Sequence, residues 1–77
     1  MAIGFVLISA APGQEQAVYQ ALLNVAEISE LHPLFGEYDL IAKVEAPDIE
    51  ALGHLVVTKI RSAEGIVDTK TLAGTKF

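Results

Sequence analysis

Apolar and polar positions alternate along the chain in a pattern that separates it into strands and helices. Residues 2–10 form a short apolar run that predicts a strand, and Pro12 and Gly13 end it. From Gln14 to about Glu27, apolar residues recur at intervals of three and four. This spacing predicts an amphipathic helix, with Gly13 as its N-cap.

The middle of the chain predicts two strands that are joined by a turn. Residues 28–35 form a weak strand that Pro33 interrupts. Because proline cannot donate to a ladder, this strand should lie at a sheet edge or contain a bulge. Gly36 and Glu37 are expected to form the turn, with a positive φ at the glycine, and the next strand covers residues 38–44.

The last third of the chain predicts a helix followed by a strand. Asp48 is a favourable N-cap, and apolar residues follow it at helical spacing. Gly65 is expected to adopt the left-handed conformation that often ends a helix. Residues 66–72 form the last predicted strand, and Lys76 and Phe77 form a tail.

The order of these elements is β-α-β-β-α-β, which predicts an α+β, ferredoxin-like fold. In this fold two crossovers and a central hairpin give a four-stranded antiparallel sheet with both helices on one face. The first and third strands are then central. A chain of 77 residues is expected to form one domain, which here spans residues 1–77.

The first strand is apolar on both of its faces. Ile3, Phe5 and Leu7 point to one side, and Val6 and Ile8 point to the other. We expect the side with Val6 and Ile8 to be the outer one. Sheet-to-sheet dimerisation would bury this surface, and a monomer with an exposed apolar face is the alternative.

The composition agrees with an apolar surface that another subunit covers. Apolar residues make up 52% of the chain and charged residues 19%, whereas typical domains have about 45–50% and about 25%. Ten acidic and five basic residues give a net charge of −5. Because binding to phosphates depends on Lys and Arg, this balance argues against direct binding to nucleic acid.

Several other classes of protein are disfavoured by simple absences in the sequence. The chain has no cysteine, so disulfides, thiol nucleophiles and cysteine zinc sites are excluded. No apolar run approaches the length of a membrane span, and the first residues lack the basic segment of a signal peptide. We therefore expect a cytoplasmic protein.

Few residues have the pattern of a catalytic or metal site. His32 and His54 are far apart and lack a metal-ligand spacing, so we expect solvated or structural roles for them. Glu37 and Asp39 flank Tyr38, and their carboxylates could approach a common site. They could bind a ligand, or Asp39 could simply accept local backbone hydrogen bonds.

Residues 35–44, with the order Phe-Gly-Glu-Tyr-Asp-Leu-Ile-Ala-Lys-Val, resemble a known signature. They are similar to the Gly-x-Tyr-Asp hairpin of the effector domain in the Lrp/AsnC transcription regulators, also called the RAM domain. The first strand, the loop with the first helix, and residues 60–71 resemble the same domain. The resemblance covers nearly the whole chain.

The resemblance implies a regulatory domain that binds an amino acid or a related small metabolite. It implies sheet-to-sheet dimers that assemble into rings, with the effector bound between dimers near the hairpin. No cofactor or metal is implied. The expected ligand-binding residues are Gly36, Glu37, Tyr38, Asp39, Thr69 and Thr71, with His32 as a looser candidate.

Members of this family usually carry an N-terminal helix-turn-helix domain. Nothing precedes the first strand here, so we expect a stand-alone effector domain that could co-assemble with full-length regulators. The alternative is a small enzyme of the dimeric α+β-barrel type. Such an enzyme needs a His, Asn, Trp or Arg between sheet and helices, where the predicted helix faces offer only aliphatic residues.

Overall fold

Four strands and two helices follow one another in the predicted order in a computed structural model, which describes residues 1–74. A π-helical turn extends the second helix. The elements are β1 (Ala2–Ala10), α1 (Glu15–Leu22), β2 (Ile28–Pro33), β3 (Leu40–Ala46), α2 (Ile49–Leu55) with the π turn Val56–Ile60, and β4 (Ile66–Ala73).

The four strands form one antiparallel sheet in the order β2-β3-β1-β4. β1 and β3 are therefore the central strands, as predicted. In the register of the sheet, Val6 lies opposite Ala42 on one side and Thr71 on the other. The ferredoxin-like α+β fold is confirmed.

The core lies between one face of the sheet and the two helices. Alternate residues of the central strands are buried there against α1, α2 and the π turn. The core residues with at most 2% exposure are Val6, Ile8, Val18, Leu22, Leu40, Ala42, Val44, Leu52 and Ile60. Among residues 1–74, no helix is long and apolar enough to span a membrane.

The expectation that Val6 and Ile8 lie on the outer face is wrong, because both are completely buried against the helices. Both sets of residues on β1 are apolar, so hydrophobicity could not decide which set faces inward. Gly4 belongs to the same set as Val6 and Ile8. A Cβ on Gly4 would lie only 2.9 Å from Leu52 Cδ2, so this glycine lets α2 pack closely on that side of the strand.

α1 is shorter than the pattern predicts. It ends at Leu22 instead of near Glu27, and its N-cap is Gln14 instead of Gly13. Tight turns follow, in which the N–H of Val25 bonds to the carbonyl of Leu22. The apolar period continues past the end of α1 because residues after it still pack on the core, although the backbone has left the helix.

α2 begins as predicted and then continues as a π-helical turn. Asp48 Oδ1 accepts a hydrogen bond of 2.8 Å from the Ala51 N–H, which confirms the N-cap. At the other end, the Arg61 N–H reaches back five residues to the carbonyl of Val56. The Thr58 hydroxyl donates to the carbonyl of His54 in the same segment, an arrangement that competes with regular helical bonding.

The connection between β2 and β3 is longer than predicted. The strands end at Pro33 and begin again at Leu40, so residues 34–39 form a six-residue loop instead of a two-residue turn. Gly36 has the predicted positive φ, at 153°. Pro33 lies on an edge strand, as expected, and that strand also changes register between Ile28 and Glu30.

The end of the chain agrees with the pattern as far as the structure describes it. Gly65 has a φ of 95°, which confirms the predicted left-handed residue. β4 then runs one residue further than predicted, to Ala73. The predicted tail at Lys76 and Phe77 lies outside the described residues.

The reassigned face of β1 makes a specific prediction. Ile8→Asp should unfold the protein, because it places an unpaired carboxylate at a position with 0% exposure, which costs several kcal/mol. Val67→Asp is the matched control, because Val67 is 65% exposed. Thermal melts followed by circular dichroism should show a large loss of stability for the first variant only. Equal melting temperatures for Ile8→Asp and the parent would contradict the assignment.

Candidate functional site

Asp39 connects the loop between β2 and β3 to the end of β1. Its Oδ2 atom accepts a hydrogen bond of 2.8 Å from the Ala10 N–H. Its own N–H donates to the carbonyl of Ile8 at 2.9 Å, and its carbonyl accepts from the Leu34 N–H at 2.8 Å. Two of these bonds hold Asp39 against the central strand β1, and the third joins the two ends of the loop to each other.

The carboxylate of Asp39 takes a place that a backbone carbonyl would take in a longer ladder. The pairing of β1 with β3 ends at Ile8 and Leu40. Beyond this pair the chain leaves the sheet, so the Ala10 N–H has no carbonyl opposite it on that side. A buried N–H without a partner is costly, and the side chain of Asp39 satisfies it.

A groove lies between α1 and this loop, on the side of the sheet that the helices cover. Its volume is about 640 Å³, within the range of about 300–1,000 Å³ that is usual for small-molecule sites. The lining residues are Glu15, Gln16 and Tyr19 from α1, and Pro33, Leu34, Phe35, Gly36, Asp39 and Leu40.

The groove is mainly apolar, with an acidic edge. Tyr19, Leu34 and Phe35 contribute most of its large side chains, and Phe35 is fully exposed. Glu15 and Asp39 contribute two carboxylates, while no Lys or Arg among the described residues 1–74 belongs to the lining. The arrangement therefore suits a ligand with a cationic group and an apolar body.

The structure brings together part of the predicted site. Gly36 and Asp39 line the groove. Glu37 and Tyr38 belong to the same loop but do not line the groove, with Glu37 exposed and Tyr38 half-buried. The carboxylates of Glu37 and Asp39 thus differ in their surroundings, because only that of Asp39 bonds to β1.

Thr69 and Thr71 lie away from the groove within one chain. Both threonines are on β4, where they pair with Ile8 and Val6 of β1. Strand β1 therefore separates them from β3. Neighbouring strands are about 4.8 Å apart, so β4 lies about 10 Å from β3. Thr69 instead borders a small depression of about 110 Å³ beside Arg61.

His32 is also separate from the groove. It lies opposite Ile41, on the outer face of the sheet. Its Nε2 atom is 3.2 Å from Glu30 Oε1, and Lys43 Nζ is 3.6 Å from the other oxygen of that carboxylate. The hydrogen bond with His32 and the charge of Lys43 hold the pKa of the Glu30 carboxyl below its usual value.

Sequence reasoning missed the residues that give the groove its apolar character. The sequence pattern predicts Leu34 and Phe35 as the end of a strand, whereas they belong to the loop between β2 and β3. Gln16 and Tyr19 are three residues apart in α1, and therefore share a helix face that borders the core face. Only the position of the loop shows that this face forms one side of a groove.

Comparison with known proteins identifies the family of this chain. Residues 3–74 match the family described as the Lrp/AsnC ligand binding domain. The chain belongs to this family. The predicted resemblance is thus confirmed over nearly the whole length of the domain.

Among its relatives is an uncharacterized HTH-type transcriptional regulator, PH1916, of Pyrococcus horikoshii, which is 31% identical over 71 residues, 88% of this chain and 47% of the relative. The chain spans about half the length of the curated relatives it matches. The structure of TTHA0845 from Thermus thermophilus is 34% identical with a TM-score of 0.92, over 100% of this chain and 96% of the other. The structure of E. coli AsnC is 25% identical with a TM-score of 0.90, and the match covers 99% of this chain and 52% of AsnC.

The role of Asp39 in the Lrp/AsnC domain can be divided between its hydrogen bond and its charge. Asp39→Ala should lower the free energy of unfolding by about 1–2 kcal/mol, because it leaves the Ala10 N–H without its acceptor. Asp39→Asn should cost less than half of that, because its amide oxygen can accept the same bond. Urea denaturation of the two variants measures the difference. If the two variants lose the same stability, the hydrogen bond does not hold the loop.

Proposed function

We propose that this chain is a regulatory domain that binds an amino acid or a related small metabolite and works as an oligomer, without catalysis. The groove beside Gly36 and Asp39 is the observation that carries this proposal. A transcriptional regulator of Neisseria meningitidis has the same fold and has been solved as a complex with L-Met. The match has 19% identity and a TM-score of 0.85, and it covers 97% of this chain and 50% of the regulator. This likeness supports the proposal, because it gives one regulator with the same fold that was solved with a bound amino acid.

The loop offers partners for both charged groups of an amino acid. Oδ2 of Asp39 bonds to Ala10, which leaves its other oxygen and the carboxylate of Glu37 for an ammonium group. Among residues 1–74, the N–H groups of residues 35–38 donate to no backbone carbonyl. They are available to a carboxylate, and Gly36 has no Cβ to obstruct its approach.

The interior of the domain supports binding without catalysis. Every buried side chain among residues 1–74 is apolar. An enzyme of the dimeric α+β-barrel type would need a polar group between sheet and helices to take part in proton transfer or to orient a substrate. The aliphatic core offers none among these residues, so the binding module is preferred to the enzyme alternative.

The outer face of the sheet supports assembly. Ile3, Phe5 and Leu7 lie there on β1, with Ile41 opposite Leu7 and Leu72 opposite Phe5. The polar residues Glu30, His32, Lys43 and Lys70 border this apolar centre. An apolar centre with a charged border is typical of a protein interface, and we propose a sheet-to-sheet dimer through this face.

Dimers of this kind would assemble into rings, with the effector held where the loops of neighbouring dimers meet. In such a ring, Thr69 and Thr71 of one chain would contribute to a site with Gly36–Asp39 of another. The curated relatives are HTH-type regulators about twice as long as this chain. We therefore propose that this domain co-assembles with such regulators, while its net charge of −5 disfavours direct contact with nucleic acid.

The proposed dimer face predicts a clear effect of charge. Phe5→Asp should dissociate the dimer, because burial of a carboxylate at the centre of an apolar interface costs several kcal/mol. Lys43 lies opposite residue 5 but is already 3.6 Å from the Glu30 carboxylate, so it would offset this cost only in part. Phe5 is 40% exposed in the single chain, so the fold itself should survive. Val57→Asp, on the helical side with 57% exposure, is the matched control. Light scattering should give a halved mass for Phe5→Asp alone. A parent protein that is monomeric at micromolar concentration would refute the dimer.

Amino-acid binding is tested by titration calorimetry with the twenty amino acids. At least one should bind, and Asp39→Asn should weaken it about tenfold, because the charge-assisted bond to its ammonium is lost. Gly36→Val should weaken it by obstructing the loop. Glu50→Gln, which removes an exposed carboxylate on α2 away from the groove and from Thr69, is the control.

Two results would contradict the binding site. One is that no amino acid binds at millimolar concentration while the oligomer stays intact. The other is that Asp39→Asn binds as tightly as the parent. Either result would leave assembly as the function of the domain.

A further inference from the structure

Arg61 is a cation at the end of the π turn that makes no ion pair among residues 1–74. Lys43 and Lys59 are each paired with a glutamate, and Lys70 lies on the outer face of the sheet. A guanidinium keeps its charge at physiological pH and presents several N–H donors in one plane. Arg61 is therefore the described cation on the helix side that has its charge available to a ligand.

A small depression lies between Arg61 and the first residues of β4. Its volume is about 110 Å³, and Val67, Asp68 and Thr69 contribute to its lining. Thr69 pairs with the buried Ile8, so its hydroxyl is on the sheet face that the helices cover. Because a site for a whole small molecule usually measures about 300–1,000 Å³, this depression can hold only one small polar group of a ligand.

The π turn and a left-handed glycine set the position of Arg61. The Arg61 N–H bonds to the carbonyl of Val56 at 2.8 Å. The extra residue in such a turn rotates the residues after it by about 100° relative to a regular helix. Lys59 Nζ holds the turn through bonds of 2.8 and 3.0 Å to the carboxylate of Glu27. Gly65, with a φ of 95°, then returns the chain into β4. The guanidinium thus lies beside the strand instead of following the helix axis.

The charges around the depression favour a carboxylate over a phosphate. Arginine can bind either group through two parallel hydrogen bonds. Asp68 belongs to the lining, and the whole chain has a net charge of −5. These negative charges repel a phosphate, which has nearly two charges at neutral pH, more strongly than a carboxylate, which has one.

The depression and the groove beside α1 are complementary in charge. The groove has the carboxylates of Glu15 and Asp39, whereas the depression has Arg61. An α-amino acid carries its ammonium and carboxylate groups on the same carbon atom, so one molecule can use both places only where they lie close together. Within one chain they are apart, because β4 lies two strands away from β3, at about 10 Å. Two different chains have no such restriction.

We propose that Arg61, together with Thr69, binds the α-carboxylate of an amino acid whose ammonium group lies at Asp39 of a neighbouring chain, so that each site is complete only between two chains. The inference rests on the proposed function, because it names a further residue of the same site and the chain that supplies it. A carboxylate has two oxygens, so Arg61 and the N–H groups of residues 35–38 can bind it together. Binding of the amino acid then strengthens the contact between the chains.

Titration calorimetry on the assembled protein tests the role of Arg61. Each of the twenty amino acids that binds is compared with its α-amide, in which a neutral group replaces the carboxylate. Arg61→Gln should weaken the acid about tenfold or more and change the affinity for the amide much less, because only the carboxylate bonds to the guanidinium. Arg61→Lys is the matched control. It keeps the charge without the planar pair of donors, and should therefore lose less affinity than Arg61→Gln.

Mixed assemblies test whether two chains share the site. Asp39→Asn and Arg61→Gln each remove one half of the proposed site and should each bind weakly. The two variants are co-expressed with different tags, and assemblies that contain both are purified. Tight sites should reappear where the intact Asp39 of one chain meets the intact Arg61 of another. If both groups acted within one chain, the mixed assembly would bind no more tightly than either variant alone.

The outcomes separate this inference from the proposed function. Arg61 is exposed, so its variants should fold and assemble, which circular dichroism and light scattering check. The inference is wrong, and amino-acid binding stands, if Arg61→Gln binds the acid as tightly as the parent or weakens acid and amide equally. The same holds if the mixed assembly recovers no tight sites. If none of the amino acids binds to the parent, the proposed function fails and this inference fails with it.

Discussion

The two helices cover only one face of the four-stranded sheet, and most other features of the protein follow from this constraint. A central strand that is apolar on both sides then has one side in the core and one side on the surface. Gly4 lies on the core side, where the absence of a Cβ lets Leu52 approach the backbone of β1 closely. The remaining apolar residues, with Phe5 and Leu7 at their centre, lie on the outer face of the sheet, which the helices do not cover.

Asp39 links the sheet to the site. Because its carboxylate substitutes for a missing ladder partner of Ala10, the loop after β2 is held beside the end of β1 instead of projecting freely. This position places Leu34 and Phe35 across from α1 and creates the groove. The same residue thus has a structural role and a proposed binding role, and the sequence alone left these two interpretations open. The hydrogen bond makes the structural role definite without excluding the other.

Much of the fold was predictable because it depends on local patterns. The N-cap at Asp48 and the positive φ values at Gly36 and Gly65 were correct, since each follows from the chemistry of a residue and its neighbours. The errors lie where distant parts of the chain compete. α1 stops early although the apolar period continues, because the residues after it reach the core without helical backbone.

The candidate site shows the same division. By itself the sequence determined the order of the elements, the family, and the hairpin with Gly36 and Asp39, since periodicity and a local signature carry that information. Only the tertiary structure decided which face of β1 is inside, that Thr69 lies two strands away from the hairpin, and that Tyr19 faces Phe35 across a groove. These depend on how close separate elements approach one another, which packing and strand order set and which no local pattern records.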